Sequence, residues 1–222
     1  MKLPAAHLLV AGSNGTGKTS AVRELVRPVQ GLAVLDTKRV GDYAGLAPET
    51  EDVRDVLRLD RLVYLAPPGA PREALEEFYR LCYLRGSVVV VVDELKHSVT
   101  AAYIGLQHRA IMVSGRGRHI VAVSLTQRYV GTHNDVLSES WYHLLFGLPQ
   151  GEVAKMAEYM PRTVALTAAE LPKYAWRLYG REERRILGAG RTSGPTGQAR
   201  RRGATANRSG GRGRESIARD LS

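Results

Sequence analysis

Cysteine is nearly absent from this 222-residue chain, which has one, Cys82. A single thiol excludes an internal disulfide and fits a reducing compartment. The six histidines have no spacing to Cys82, or to one another, that would build a structural zinc site. Aromatic residues make up only 6% of the chain. No apolar run approaches the roughly 18 residues of a membrane span, so a soluble protein is expected. The N-terminal MKLPAAHLLVAG has too short an apolar stretch, with turn residues directly behind it, for a signal peptide. Acid is the scarcer charge, with 22 Asp and Glu against 32 Lys and Arg and a formal charge of +10.

That charge is unevenly placed. Residues 181–222 carry 11 Arg and four acids (Glu182, Glu183, Glu215, Asp220), a net of +7, which leaves +3 for residues 1–180. From Leu187 onward Gly, Ser, Thr and Arg prevail, and there is too little apolar surface to offset the entropy of ordering. Residues 1–186 are therefore expected to fold as one domain and 187–222 to form a flexible, disordered basic tail. Within the first part, apolar runs at 7–11, 32–35, 62–65, 88–92, 120–125, 143–146 and 174–179 alternate with helical patterns. This predicts an α/β fold with a mostly parallel sheet and helices on both faces. Residues 72–84 carry Ala74, Leu75, Phe78, Leu81 and Cys82 at helical spacing, so Cys82 should lie in the core. The five valines at 88–92 read as a central strand covered on both faces.

Three motifs carry chemistry. GSNGTGKT at 12–19 fits G-x-x-x-x-G-K-[ST] and stands between an apolar run and a helical segment at 19–26. Its glycines let successive N–H groups turn toward a phosphate, and the positive end of the following helix adds to the attraction. Gly12, Ser13, Asn14, Gly15, Thr16, Gly17, Lys18, Thr19 and Ser20 are the expected nucleotide-binding residues. Lys18 should contact the β- and γ-phosphates, and the Thr19 hydroxyl should ligate Mg2+. The valine strand ends in Asp93 and Glu94, at the sheet edge where open α/β sheets bind ligands. Asp93 would hold Mg2+, and Glu94 would polarise the attacking water as general base. That second acid favours hydrolysis over transfer to a hydroxyl. SLTQR at 124–128 ends the following strand, where Gln127 could sense the γ-phosphate or orient water.

In this order the motifs resemble the HerA/FtsK superfamily of ring-forming DNA-pumping ATPases. GSNGTGKT looks like its Walker A, LDTKR at 35–39 like its second strand ending in Asp-x-Lys, and VVVVVDEL like its Walker B. GRGRHIVAVSLTQR is similar to its Gly-Arg stretch with a Thr-Gln-Arg sensor. Two positions depart: Thr37 and Tyr129 stand where the family often has Pro. The resemblance, over about residues 5–180, implies a RecA-like (ASCE) P-loop core, ATP with Mg2+, and a homo-oligomeric ring, usually hexameric, that drives double-stranded DNA. At this length the chain is most similar to small genome-packaging ATPases of tectivirus-type viruses, which have an internal membrane. That implies a place at the packaging vertex of the virion and in the host cytoplasm during assembly. Such a ring needs a cation across each subunit boundary. Arg116 and Arg118 are the leading candidates, ahead of Arg109 and Arg128. The tail arginines, among them Arg200, Arg201 and Arg202, would suit salt-sensitive contact with duplex phosphates, or with capsid proteins or the membrane. The alternatives are a plasmid or mobile-element HerA-like translocase and, from a different class, a P-loop small-molecule kinase.

Overall fold

The computed structural model describes residues 2–193. In chain order the elements are β1 (Leu8–Ala11), α1 (Lys18–Val26), β2 (Leu32–Asp36), β3 (Glu49–Thr50), β4 (Arg61–Leu65) and α2 (Arg72–Arg85). Next come β5 (Val89–Val92), β6 (Val99–Thr100), β7 (Tyr103–Ile104), α3 (Leu106–Ser114), β8 (Val121–Thr126) and α4 (Asn134–Glu139). The described chain closes with β9 (Tyr142–Leu145), α5 (Val153–Met156), α6 (Arg162–Ala169), β10 (Ala175–Gly180) and β11 (Arg185–Arg191). Among the described residues, nine strands form one sheet in the order β11-β10-β9-β1-β8-β5-β2-β4-β3. All neighbours from β9 to β3 are parallel, while β10 runs antiparallel to both β9 and β11. β6 and β7 make a separate two-stranded hairpin.

The apolar runs become strands because alternate residues serve two cores. Leu9, Ala33, Leu35, Val90, Val92 and Ala122 point to one face, which α2 to α6 cover. Leu8, Val10, Val34, Val89, Val91 and Val123 point to the other, which α1 covers with Ala21, Val22, Leu25 and Val26. The central strands are thus buried on both sides, as β-branched runs in parallel sheets require. Each fully buried Val or Leu contributes about 1.5–3 kcal/mol from apolar burial. Helix α2 packs Leu75, Phe78, Tyr79, Leu81 and Cys82 inward, and burial raises the Cys82 thiol well above its usual range. Gly86, with φ 64 and ψ −178, ends this helix in a backbone region open essentially to glycine alone.

The carboxyl terminus of the fold departs from the sequence expectation. Residues 187–191, assigned to the tail, belong to β11 and pair with β10. Its composition misleads because Gly188 and Gly190 serve a packing purpose. The Trp176 ring lies across them, and a Cβ on Gly190 would sit 2.6 Å from Trp176 Cζ2. Residues 194–222 of the expected tail, including Arg200, Arg201 and Arg202, lie outside the described residues. Among the described residues no helix is long and apolar enough to cross a membrane.

Candidate active site

The sheet order decides which motifs meet. β8 lies between β1 and β5, and all three run parallel, so the phosphate loop, Gln127 and the Asp93–Glu94 pair emerge at one edge. The loop is tied to this edge by Gly12 N–H donating to Thr126 O at 3.2 Å and Ser13 N–H to Gly147 O at 2.9 Å. Gly15 and Gly17 take φ of 69 and 102, left-handed values that glycine adopts without strain. Lys18 folds back over the loop and donates to Gly12 O at 2.6 Å and Ser13 O at 2.9 Å. Burial is the main cause that lowers its ammonium pKa to about 8, with the Lys38 charge acting in the same direction and Glu94 and Asp93 opposing.

Asp93 and Glu94 are successive residues, and in an extended strand their side chains would go to opposite faces. Glu94 instead adopts φ 56, ψ 62, a left-handed conformation costing about 1–2 kcal/mol for a non-glycine residue. Both carboxylates thereby reach the same ammonium. Lys38 Nζ stands 3.1 Å from Asp93 Oδ2 and 2.9 Å from Glu94 Oε1. Gln127 Nε2 donates to Glu94 Oε1 at 2.7 Å and Oε2 at 2.9 Å, and Lys96 Nζ lies 3.3 Å from Oε2. Burial pushes the Glu94 carboxyl upward, but the bonds from Lys38 and Gln127 outweigh it and hold the pKa at about 2. For Asp93 burial prevails over the attraction of Lys38, and its carboxyl is raised. Thr37 Oγ1 and His97 Nδ1, 2.6 Å apart, join the same two loops a second time.

A cleft of about 420 Å3 runs over the phosphate loop, lined among others by Thr19, Lys38, Asp93, Glu94 and Gln127. The donor set fits a hard cation. Asp93 Oδ2 is buried and accepts no well-angled hydrogen bond, and the Thr19 hydroxyl lines the same cleft. Oxygen ligands so few in number suit Mg2+, which retains waters and shares substrate phosphates. No cluster of three or more His, Cys, Asp or Glu that would hold a metal without phosphate exists among the described residues.

Lys18, Thr19, Asp93, Glu94 and Gln127 are thus brought together, but Arg116 and Arg118 are not. They precede β8, at the opposite edge of the sheet. The Arg116 guanidinium lies 3.9 Å from the Trp141 ring centroid, and Arg118 donates to Tyr83 O at 2.8 Å and Leu84 O at 3.1 Å. Arg109 pairs with Asp135 at 2.6 Å, and the exposed Arg128 lies 4.0 Å from Glu152. Lys38 was marked in the sequence only through the Asp-x-Lys likeness, without a role. Lys173 and Tyr174 also line the cleft; the sequence marked Tyr174 only as the start of an apolar run and Lys173 not at all.

A phosphate-loop strand separated from its acidic strand by the Gln127 strand defines a RecA-like P-loop NTPase fold. No protein-family model and no curated protein matches the chain. Among solved structures it is similar to the genome-packaging NTPase B204 of Sulfolobus turreted icosahedral virus 2 in complex with AMPPCP. That likeness has a TM-score of 0.74 and 14% identity and covers 86% of this chain and 100% of that one. B204, the DNA-packaging ATPase of Sulfolobus turreted icosahedral virus, gives a TM-score of 0.73 at 15% identity, covering 86% and 98%. VirB4 of Thermoanaerobacter pseudethanolicus gives 0.58 at 9% identity, covering 85% and 90%.

Proposed function

We propose that this chain is the subunit of an ATP-hydrolysing motor that translocates double-stranded DNA, loading a viral genome into a preformed capsid. The observation that carries this reading is Glu94, a second acid beside Asp93, held by Gln127 at the end of the phosphate-loop cleft. A nucleotide kinase has no need of a carboxylate placed for water. The fold shared with B204 supports the packaging assignment. Gly12 to Ser20 would enclose the phosphates, Lys18 would neutralise them, and Thr19 and Asp93 would hold Mg2+, which supplies further charge neutralisation. Glu94 would accept the proton of the attacking water. Lys38 and Gln127 hold its carboxyl low, and Glu94 would become a stronger base where these contacts loosen.

In a ring, most simply a hexamer, Arg116 and Arg118 would serve the phosphate loop of a neighbouring copy, since they stand far from their own. Residues 194–222, rich in arginine, would add sequence-independent attraction to duplex DNA, with capsid or membrane surfaces as further partners. The protein would then work at the packaging vertex and in the host cytoplasm. One experiment tests the reading: ATP turnover with and without double-stranded DNA, for wild type, Glu94→Gln and a chain ending at Ser193. DNA should stimulate hydrolysis. Glu94→Gln should bind ATP but turn over at least about a hundredfold more slowly, within the range for loss of a general base. The shortened chain should keep basal turnover and show a flatter salt dependence of DNA stimulation. Phosphoryl transfer to a nucleoside monophosphate would overturn the motor assignment.

A further inference from the structure

The cleft over the phosphate loop has two unlike ends. Asp93, Glu94 and Gln127 stand at one, Lys173 and Tyr174 at the other. Strand order separates them, since β5 and β8 lie on one side of β1 and β9 and β10 on the other. β10 runs antiparallel to β9, so its first residue, Ala175, and Tyr174 just before it come to the edge that carries the phosphate loop. If hydrolysis occurs at Glu94, the terminal phosphate of a bound nucleotide faces that residue. The base must then point away from it, toward Tyr174.

Tyr174 is fixed for such a task. It has φ 68, a left-handed conformation rarely adopted by a bulky residue. Strain of this kind persists where the surroundings over-determine the backbone, often at ligand sites. The surroundings here are Thr192, whose N–H donates to Tyr174 O at 2.9 Å and whose hydroxyl donates to the same oxygen at 3.5 Å. The ring lies close against the phosphate loop. A Cβ on Gly17 would sit 3.2 Å from Tyr174 Cδ1 and collide with Thr192 Oγ1. Lys173 Nζ stands 5.1 Å from the ring centroid, on a long exposed side chain that can move aside.

We propose that the Tyr174 ring is the platform on which the nucleobase of the bound triphosphate stacks; this rests on the phosphate-loop reading above. Every base has a π-face, so a stacking platform holds bases without choosing among them. ATP and GTP should therefore bind with similar affinity.

The test is calorimetric binding of ATP, GTP and inorganic tripolyphosphate, with Mg2+, to the full chain as wild type, Tyr174→Phe and Tyr174→Ala. Tyr174→Ala should weaken ATP and GTP by about ten- to a hundredfold, the scale of losing one stacked base. Tripolyphosphate affinity should stay within about twofold, and Tyr174→Phe should retain nucleotide affinity. Equal loss of tripolyphosphate would mean that the ring only props the loop, and unchanged ATP binding in Tyr174→Ala would remove the platform; either result overturns the proposal. A wild type that binds neither ATP nor tripolyphosphate would bring down the phosphate-loop reading itself, and the platform with it.

Discussion

At the carboxyl edge of the parallel sheet, Lys18 and Lys38 are enclosed by backbone carbonyls and carboxylates. At the opposite edge Arg116 and Arg118 lie exposed against the rings of Trp141 and Tyr83. The same kind of charge therefore does different work at the two edges. Burial lowers the Lys18 pKa to about 8, whereas at Lys38 burial is outweighed by the Asp93 and Glu94 carboxylates, which raise its pKa. The exposed arginines instead lay their guanidinium planes over aromatic surface. On the ring reading proposed above, one copy would present its arginine edge to the next copy's lysine edge.

The comparison breaks most readily at Lys38. Lys38→Met leaves the Asp93 and Glu94 carboxylates side by side without their shared cation. Removing one partner of a buried ion pair costs about 3–5 kcal/mol, and the partial exposure of Lys38 brings the expectation to about 2–4 kcal/mol. Urea denaturation without nucleotide measures this, and a change below about 1 kcal/mol would show that Lys38 does not hold the pair.

An intermediate effect is expected from pH. The Lys18 pKa is lowered to about 8, chiefly by burial, and phosphate anions prefer its protonated form. Above about pH 8 the protonated fraction falls tenfold per unit, so the Kd for ATP should rise by about tenfold per unit. The triphosphate itself is fully ionised there, given a second phosphate pKa near 6. A Kd that stays flat from pH 7 to 9.5 would exclude Lys18 as the responsive group.

The smallest effect on fold and binding belongs to the arginine edge. Arg116→Ala removes the contact with Trp141, worth about 0.5–1 kcal/mol at an exposed site, and should leave ATP affinity unchanged. On the ring reading proposed above, ATP turnover is the quantity that should fall, because the arginine would act on the phosphoryl group transferred in a neighbouring copy. Loss of ATP affinity in this variant would place Arg116 in its own chain's site, against the strand order.

The strand–turn–helix at residues 12–19 was legible because its geometry is local. Gly15 and Gly17 form the backbone turn and Lys18 starts the helix, features that a few consecutive residues specify. The two-sided valine strand and the amphipathic α2 were legible for a similar reason, since burial imposes a short period on the residues themselves. Strand β11 was not, because Gly188 and Gly190 signify a loop until Trp176 of the neighbouring strand is seen lying over them. Lys38 was visible as a resemblance but not as a bridge. Its meaning depends on β2 and β5 pairing in register, Leu35 opposite Val92, which sets the following residues side by side.

The sequence by itself determined an α/β chain with a glycine-rich turn between strand and helix and paired acids at a strand end, because turn geometry and side-chain periodicity act over a few bonds. Only the tertiary structure decided that Gln127 and Lys38 grip Glu94, that Tyr174 lines the same cleft, and that Arg116 and Arg118 lie at the opposite edge of the sheet. Those relations follow from strand order, in which residues tens of positions apart become neighbours at about 4.8 Å spacing, and no local pattern encodes that order.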